Sequence, residues 1–177
     1  MEPDAYGDWF SKHFEAVTLV PRLRETRVLT GFSRLLPPTN DRGRMASLSL
    51  GTTDWLPGVS VRGEGIFLRL RRTRLDDWIT KTAVEMRMER IRDNADAVPE
   101  NMRRFDETPS AKMVLVHTLA HLLIRQLAFE SGYDASSIQE RLYISDEPDA
   151  MAGLLLYTAS GDAEGTLGGL VRHGRAD

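Results

Sequence analysis

The chain of 177 residues contains no cysteine. This absence excludes disulfide bonds, a thiolate nucleophile, iron–sulfur clusters and the cysteine-rich zinc sites of many small domains. Lysine is scarce as well, and nearly all of the 23 basic residues are arginines. Arginine suits planar, bidentate contacts with phosphate or carboxylate, but codon usage in a GC-rich genome produces the same bias. The composition therefore excludes more functions than it indicates.

Long apolar runs and an overall basic charge are also missing. No stretch approaches the roughly 20 apolar residues that a bilayer crossing needs, and the acidic start Met1-Glu-Pro-Asp is unlike a signal peptide. We therefore expect no membrane contact and a cytoplasmic location. The formal net charge of −3 means that any nucleic-acid-binding surface must be local.

The length suits one compact core, so we predict an N-terminal amphipathic segment over residues 1–16 and a single domain over residues 17–177. The apolar patterns predict an α+β fold, with a mostly antiparallel sheet packed on a buried central helix. An amphipathic helix should cover an outer face. The predicted strands lie near 23–34, 59–70, 142–145 and 153–159, and the predicted helices span 1–16, 74–96, 109–131 and a short stretch at Leu170.

The central helix has the clearest boundaries. Thr108 can cap its start, Pro109 suits its first turn, and Gly132 suits the left-handed position that ends it. Its residues are apolar on nearly every face. This pattern predicts a helix that is covered on most sides.

His117 and His121 lie four residues apart on this helix, so both side chains occupy one stripe. The spacing can hold a metal ion, but Thr118 stands where a zinc protease needs its glutamate base. A third ligand would have to come from elsewhere, and Asp162 and Glu164 are the candidates. The alternative is a structural pair in which each histidine bonds to a neighbouring strand.

A glycine-rich segment follows the last strand and includes Gly165, Gly168 and Gly169. It is typical of an anion-binding turn before a helix, yet it matches neither the Walker pattern nor the dinucleotide fingerprint. The alternative is a tight turn whose acidic residues cap the last helix. If this turn met the second small-acidic-small element, Gly63-Glu64-Gly65, then Glu64 would join the acidic and histidine groups in one cleft.

Two groups of arginines are candidates for contacting DNA phosphates. One alternates along the first strand and the other follows the second strand, so an arginine face at a sheet edge is one interpretation. A self-neutralising solvated surface is the other, since Asp76 and Asp77 stand beside the second group. The candidate residues are Arg22, Arg24, Arg27, Arg69, Arg71 and Arg72.

The order of these motifs resembles the C-terminal part of the DrmB family, subunits of DISARM anti-phage systems. The same region is similar to the zinc-binding domain at the end of MrfA-type DNA helicases. The resemblance covers residues 17–172 and includes Arg125 on the histidine stripe. It is carried by the run from Arg22, Trp55-Leu-Pro, Arg62-Gly-Glu-Gly-Ile-Phe-Leu, the helix segment from His117 and the glycine-rich run from Tyr157.

The resemblance implies a non-catalytic scaffold subunit that pairs with a superfamily 2 helicase and helps it to engage DNA. Family members carry a zinc-holding cysteine segment after the glycine-rich loop, and this chain has no cysteine. We therefore expect no zinc bound through cysteine, and either a truncated or split member of the family or a remnant whose missing part another chain supplies. An exposed apolar edge should mark where that part packs.

Two further functions remain open from the residues alone. The chain can be a metal-dependent hydrolase or nuclease that uses the histidine pair with Asp162 or Glu164. It can also be a folded relic without activity. Metal content and salt-dependent DNA binding distinguish these alternatives from an accessory module.

Overall fold

The computed structural model describes residues 2–33, 45–49, 51–99, 109–145, 151–159 and 169–176. Four strands and five α-helices lie within these stretches. The strands are β1 (Phe14–Val28), β2 (Gly58–Leu70), β3 (Ile138–Ile144) and β4 (Ala152–Ala159). The helices are α1 (Asp8–His13), α2 (Arg72–Ile79), α3 (Thr82–Asp96), α4 (Ala111–Ser131) and α5 (Gly169–His173).

The strands form one antiparallel sheet in the order β1-β2-β4-β3. β4 is an inner strand, and its Leu154 lies between Leu68 of β2 and Leu142 of β3. This position explains why both faces of β4 are apolar in sequence. The predicted α+β class and the predicted inner strand are confirmed.

The core lies between one face of the sheet and α4. Val116, Ala120 and Ile124 recur every four residues on α4 and are buried against the sheet. Leu154 and Leu156 of β4 are fully buried beneath them. Burial of each such aliphatic side chain contributes about 1.5–3 kcal/mol, so this stripe and strand β4 account for much of the stability.

The two ends of α4 are set by capping residues. The side chain of Ser110 accepts a hydrogen bond of 3.2 Å from the backbone N–H of Met113, so Ser110 is the N-cap. Thr108, the predicted cap, lies outside the described residues. At the other end, Gly132 has a φ of 71° in the left-handed region, as predicted.

α4 is less covered than its composition predicts. Within the described residues only one stripe is buried, whereas Leu122 is 58% exposed and Phe129 is 86% exposed. By length and composition alone, this helix is also long enough to cross a membrane, a property that it shares with the core helices of soluble proteins. The apolar residues opposite the buried stripe therefore need another explanation than core packing.

The N-terminal helix is shorter than predicted. A 3₁₀ turn at Pro3–Tyr6 precedes α1, and β1 already begins at Phe14. Gly7, with a φ of 92°, separates the two helical pieces, because only glycine adopts that backbone readily. Phe14 is a buried strand residue that stacks on Phe10 at 4.3 Å, while Trp9 remains 68% exposed.

The helix predicted over residues 74–96 is two helices. α2 ends at Ile79, and the hydroxyl of Thr80 donates a hydrogen bond of 3.1 Å to the carbonyl oxygen of Asp77. Threonine hydroxyls compete with the helical backbone in this way. Each helix buries one apolar residue, Leu75 on α2 and Met88 on α3, so the outer helical layer rests on few contacts.

Candidate functional site

The two histidines of α4 face a carboxylate on the neighbouring strand β3. His117 Nδ1 lies 2.6 Å from Glu140 Oε1, and His121 Nε2 lies 3.9 Å from the same oxygen. The two imidazole rings meet edge to face, with centroids 4.5 Å apart. One ligand atom from each residue lies within 4.8 Å of the others. The fold therefore brings two imidazoles and a carboxylate together at the edge of the sheet.

Hydrogen bonding does not use all the polar atoms of this cluster. His117 Nδ1 and Glu140 Oε2 are buried atoms that have no hydrogen-bond partner among the described residues. The contact between His117 and Glu140 is short, but it is not aligned as a hydrogen bond. Buried polar atoms in native proteins nearly always have a partner. A cation between these groups would provide one.

Glu140 was not among the candidates that the sequence suggested. Its side chain points toward α4 because β3 begins at Ile138, which places Ile138, Glu140 and Leu142 on the core face. The alternating apolar residues at 138, 142 and 144 were the available signal, since they put position 140 on the same face. Asp162 and Glu164, the predicted third ligands, lie outside the described residues.

Glu64 occupies a separate site at the start of α5. It is almost fully buried, with 1% exposure, and its carboxylate accepts hydrogen bonds from the backbone N–H groups of Leu170 at 2.8 Å and Val171 at 3.2 Å. The hydroxyl of Tyr133 donates to the same carboxylate at 3.1 Å. Burial and the adjacent Glu64 charge raise the pKa of the Tyr133 hydroxyl.

This arrangement explains the small residues on both sides of Glu64. A Cβ at Gly63 would lie 1.5 Å from the carbonyl oxygen of Thr158, and one at Gly65 would lie 2.9 Å from that of Leu156. The strands therefore approach too closely for any side chain at Gly63. Glu64 caps α5, rather than joining the histidines in one cleft.

The remaining residues of the glycine-rich motif are described only in part. Gly169 is the first residue of α5, and Tyr133 packs against it. Gly165 and Gly168 lie outside the described residues. Arg125 is exposed on α4, one turn beyond His121.

Four of the candidate arginines are engaged in contacts within the protein. Arg71 Nε donates to the carbonyl oxygen of Ser11 at 2.9 Å and ties α1 to the end of β2. Arg27 donates to Glu25 at 2.9 Å and to the carbonyl oxygen of Ala159 at 3.3 Å. The hydrogen bond and charge of Glu25 raise the pKa of Arg27. The other two form exposed ion pairs, Arg69 with Glu15 at 3.4 Å and Arg72 with Asp76 at 3.5 Å.

The remaining two candidates, Arg22 and Arg24, lie in the part of β1 that projects from the sheet together with the start of β2. Within the described residues, β4 pairs with β2 only from Gly63 onward, so residues 24–28 and 58–62 pair only with each other, and Arg22 lies just before them where the pairing is irregular. We call this element the arginine ribbon. Arg24 and Arg62 are direct cross-strand partners on it, and both are exposed. Like charges directly opposite each other destabilise a sheet, so this pairing is unfavourable in the isolated chain.

The ribbon ends in exposed apolar residues. Val28, Val59 and Trp55 have exposures of 50%, 55% and 65%. Leu29 and Leu56 nearby are also more than half exposed. Exposed apolar side chains that lie together commonly mark a contact with another macromolecule. The edge expected from the resemblance was tied to the missing C-terminal part, and it stays a prediction.

Two comparisons place this architecture among known proteins. Residues 119–176, which include half of α4, strands β3 and β4 and helix α5, match the family model of the MrfA Zn-binding domain. The chain thus contains a segment similar to a zinc-binding domain, folded as the helix and sheet edge that carry His121 and Glu140.

The resemblance to DrmB is confirmed over nearly the whole chain. The chain is 36% identical over 182 residues to the DISARM protein DrmB of Bacillus paralicheniformis. The alignment covers 99% of this chain and 32% of that relative. The chain is therefore DrmB-like, and it spans about a third of the length of the curated relative that it matches.

The name of the matched family implies zinc, which this chain cannot hold through cysteine. Among the described residues, one group of three offers suitable ligand atoms, namely His117, His121 and Glu140. Two imidazoles and a carboxylate are a donor set that zinc accepts, and they leave a fourth position open. The unpartnered buried atoms of this cluster fit a bound cation as well.

Proposed function

We propose that this chain is a non-catalytic accessory module of a DNA-targeting anti-phage defence complex, in which it supports a superfamily 2 helicase. The observation that carries the proposal is the 36% identity to a DISARM protein across 99% of the chain. The arginine ribbon and its apolar tip supply the contact surfaces.

The arginine ribbon is the surface that we assign to DNA. A two-stranded antiparallel ribbon fits the major groove, and exposed guanidinium groups bind phosphates. Arg24 and Arg62 lie on the same side of the ribbon, with Arg22 in the irregular segment between Val20 and Leu23. No ion pair or hydrogen bond to a described residue occupies these three side chains, in contrast to Arg27, Arg69, Arg71 and Arg72.

The test compares DNA affinity in the wild-type chain and in a variant that combines Arg24→Gln with Arg62→Gln. Fluorescence anisotropy with a labelled duplex at several salt concentrations gives the salt dependence of the affinity. Each lost phosphate contact should lower the slope of log K against log salt by about 0.9, so the variant slope should fall by about 2. The control combines Arg90→Gln with Arg92→Gln, which removes the same charge from the exposed side of α3.

Stability provides an independent check on the same variant. Because the ribbon variant removes a like-charge pair, its free energy of unfolding should be unchanged or higher than that of the wild type. If this result is obtained, weaker DNA binding by the variant does not arise from unfolding. Equal loss of affinity in the ribbon variant and in the α3 control would overturn the assignment of DNA to the ribbon.

Two other results would overturn the wider proposal. Co-expression with the superfamily 2 helicase of its own defence locus should give a complex that elutes as one species, and separate elution would contradict the partnership. DNA cleavage by the purified chain that depends on added metal and disappears in His121→Ala would favour the hydrolase instead.

A further inference from the structure

From the cluster on α4 and β3 we infer that His117, His121 and Glu140 form a binding site for a divalent transition metal of the zinc class. The inference is independent of the proposed accessory function, since it concerns ligand atoms alone. It also differs from the cysteine-bound zinc that the family resemblance implies, because every ligand here is an imidazole nitrogen or a carboxylate oxygen.

The local fold supplies the three ligands from two rigid elements. His117 and His121 are one turn apart on the 21-residue helix α4, which is fixed by the Ser110 cap and by its buried stripe. Glu140 comes from β3, which pairs with β4 along its whole length. Ligands on a helix and a paired strand keep their separation better than ligands on loops.

The distances within the cluster are close to those of a metal centre. Ligand atoms about 2.0–2.1 Å from a tetrahedral ion lie roughly 3.4 Å from one another. The distances of 2.6 Å and 3.9 Å from Glu140 Oε1 to the two histidine nitrogens fall on either side of that value. Shifts of several tenths of an ångström in the two histidine side chains, which are 44% and 61% exposed, would equalise them.

Two buried atoms of the cluster favour a cation over a simple ion pair. The carboxylate of Glu140 is only 21% exposed, and its second oxygen has no hydrogen-bond partner among the described residues. His117 Nδ1 is buried in the same way. Buried polar atoms nearly always have a hydrogen-bond partner, and these two have none among the described residues. A metal ion would satisfy both.

The choice of metal follows from the donor atoms. Imidazole nitrogen suits zinc, copper, iron and nickel, whereas magnesium and calcium require oxygen ligands. Three protein ligands leave a position for water or for a group from a partner chain. His121, with 61% of its side chain exposed, places that open position toward solvent.

The test measures metal binding to the full chain after treatment with a chelator. Isothermal titration with zinc chloride should give one site per chain, and titration with cobalt chloride should give the visible absorption of a tetrahedral or five-coordinate centre. His121→Ala and Glu140→Gln should each lower the zinc affinity at least tenfold. The matched control is His173→Ala, because His173 lies beside Glu130 rather than in the cluster, and it should retain the wild-type affinity.

Thermal unfolding separates loss of the site from loss of the fold. The melting temperature of the metal-free chain should be similar in wild type and in His121→Ala, since that side chain is mostly exposed. Zinc should raise the melting temperature of the wild type and of His173→Ala, but not of His121→Ala. No stoichiometric binding, or equal affinity in His121→Ala and the wild type, would overturn the inference.

Discussion

Glu64 accepts a hydrogen bond of 2.8 Å from the backbone N–H of Leu170, which lies 106 positions further along the chain. A carboxylate in the sheet thus satisfies the first free N–H groups of a five-residue helix. A helix this short has little stability of its own, so its place on the sheet depends on this contact and on the burial of Leu170.

Replacing Glu64 should therefore destabilise the whole domain. Glu64→Gln leaves one N–H donor without a good acceptor and removes the charge that strengthens both bonds. We expect a loss of about 2–4 kcal/mol in the free energy of unfolding, measured by urea denaturation. Glu85→Gln on the exposed side of α3 is the control and should change it by less than about 0.5 kcal/mol. Similar values for the two variants would contradict the capping role.

Gly63 should tolerate no side chain. The Cβ of Gly63→Ala would lie 1.5 Å from the carbonyl oxygen of Thr158, which belongs to a paired backbone and cannot move freely. We expect a loss of more than about 4 kcal/mol, or no folded protein. Gly51→Ala is the matched control, since nothing lies within 4 Å of its Cβ. Circular dichroism and urea denaturation of both variants check this, and a stable Gly63→Ala protein would show that the strands can separate there.

The Tyr133 hydroxyl should make stability fall at alkaline pH. Burial and the Glu64 charge raise its pKa above the unfolded value near 10, so the folded state holds the phenolic proton more tightly. This contribution is complete below the unfolded pKa and is lost as pH rises through the folded pKa. The free energy of unfolding should thus decrease above about pH 10, and Tyr133→Phe should reduce that decrease.

Tyr157 should also contribute to the fall of the free energy of unfolding at alkaline pH. Burial raises its pKa too, so part of the alkaline loss should remain in Tyr133→Phe and disappear when Tyr157→Phe is added. Titration of tyrosinate absorbance in the folded wild type provides a direct measurement. A normal tyrosine titration in the folded state would contradict the prediction.

Because α4 is buried on one side and exposed on the other, substitutions on its two sides should change the free energy of unfolding by very different amounts. Ile124→Ala removes buried atoms and should cost about 2–4 kcal/mol. Phe129→Gln changes a side chain that is 86% exposed and should shift the free energy of unfolding by less than about 0.5 kcal/mol. Urea denaturation of both variants is the measurement. A large loss for Phe129→Gln in the isolated chain would mean that its side chain is packed after all.

The elements with local signals could be predicted from the amino-acid sequence alone. The apolar run at Leu154–Leu156 predicted an inner strand, and Gly132 predicted the end of α4, because a strand core and a left-handed cap each depend on residues that are close in sequence. The motif order also determined the resemblance to DrmB, which the comparison confirmed. Side-chain spacing likewise placed His117 and His121 on one stripe.

The contacts between residues of different elements could not be predicted in this way, because they depend on how the strands and helices pair and pack. Glu140 faces the histidines because β3 pairs with β4 in one register, and a shift of one residue would have turned it to the other face. The position of Glu64 in β2 likewise places its carboxylate at the start of α5, where it caps the helix. The sequence had suggested that acidic residues of the adjoining turn form this cap. The exposed side of α4 was also hidden from composition, because an apolar residue shows that burial is favourable and not which surface provides it.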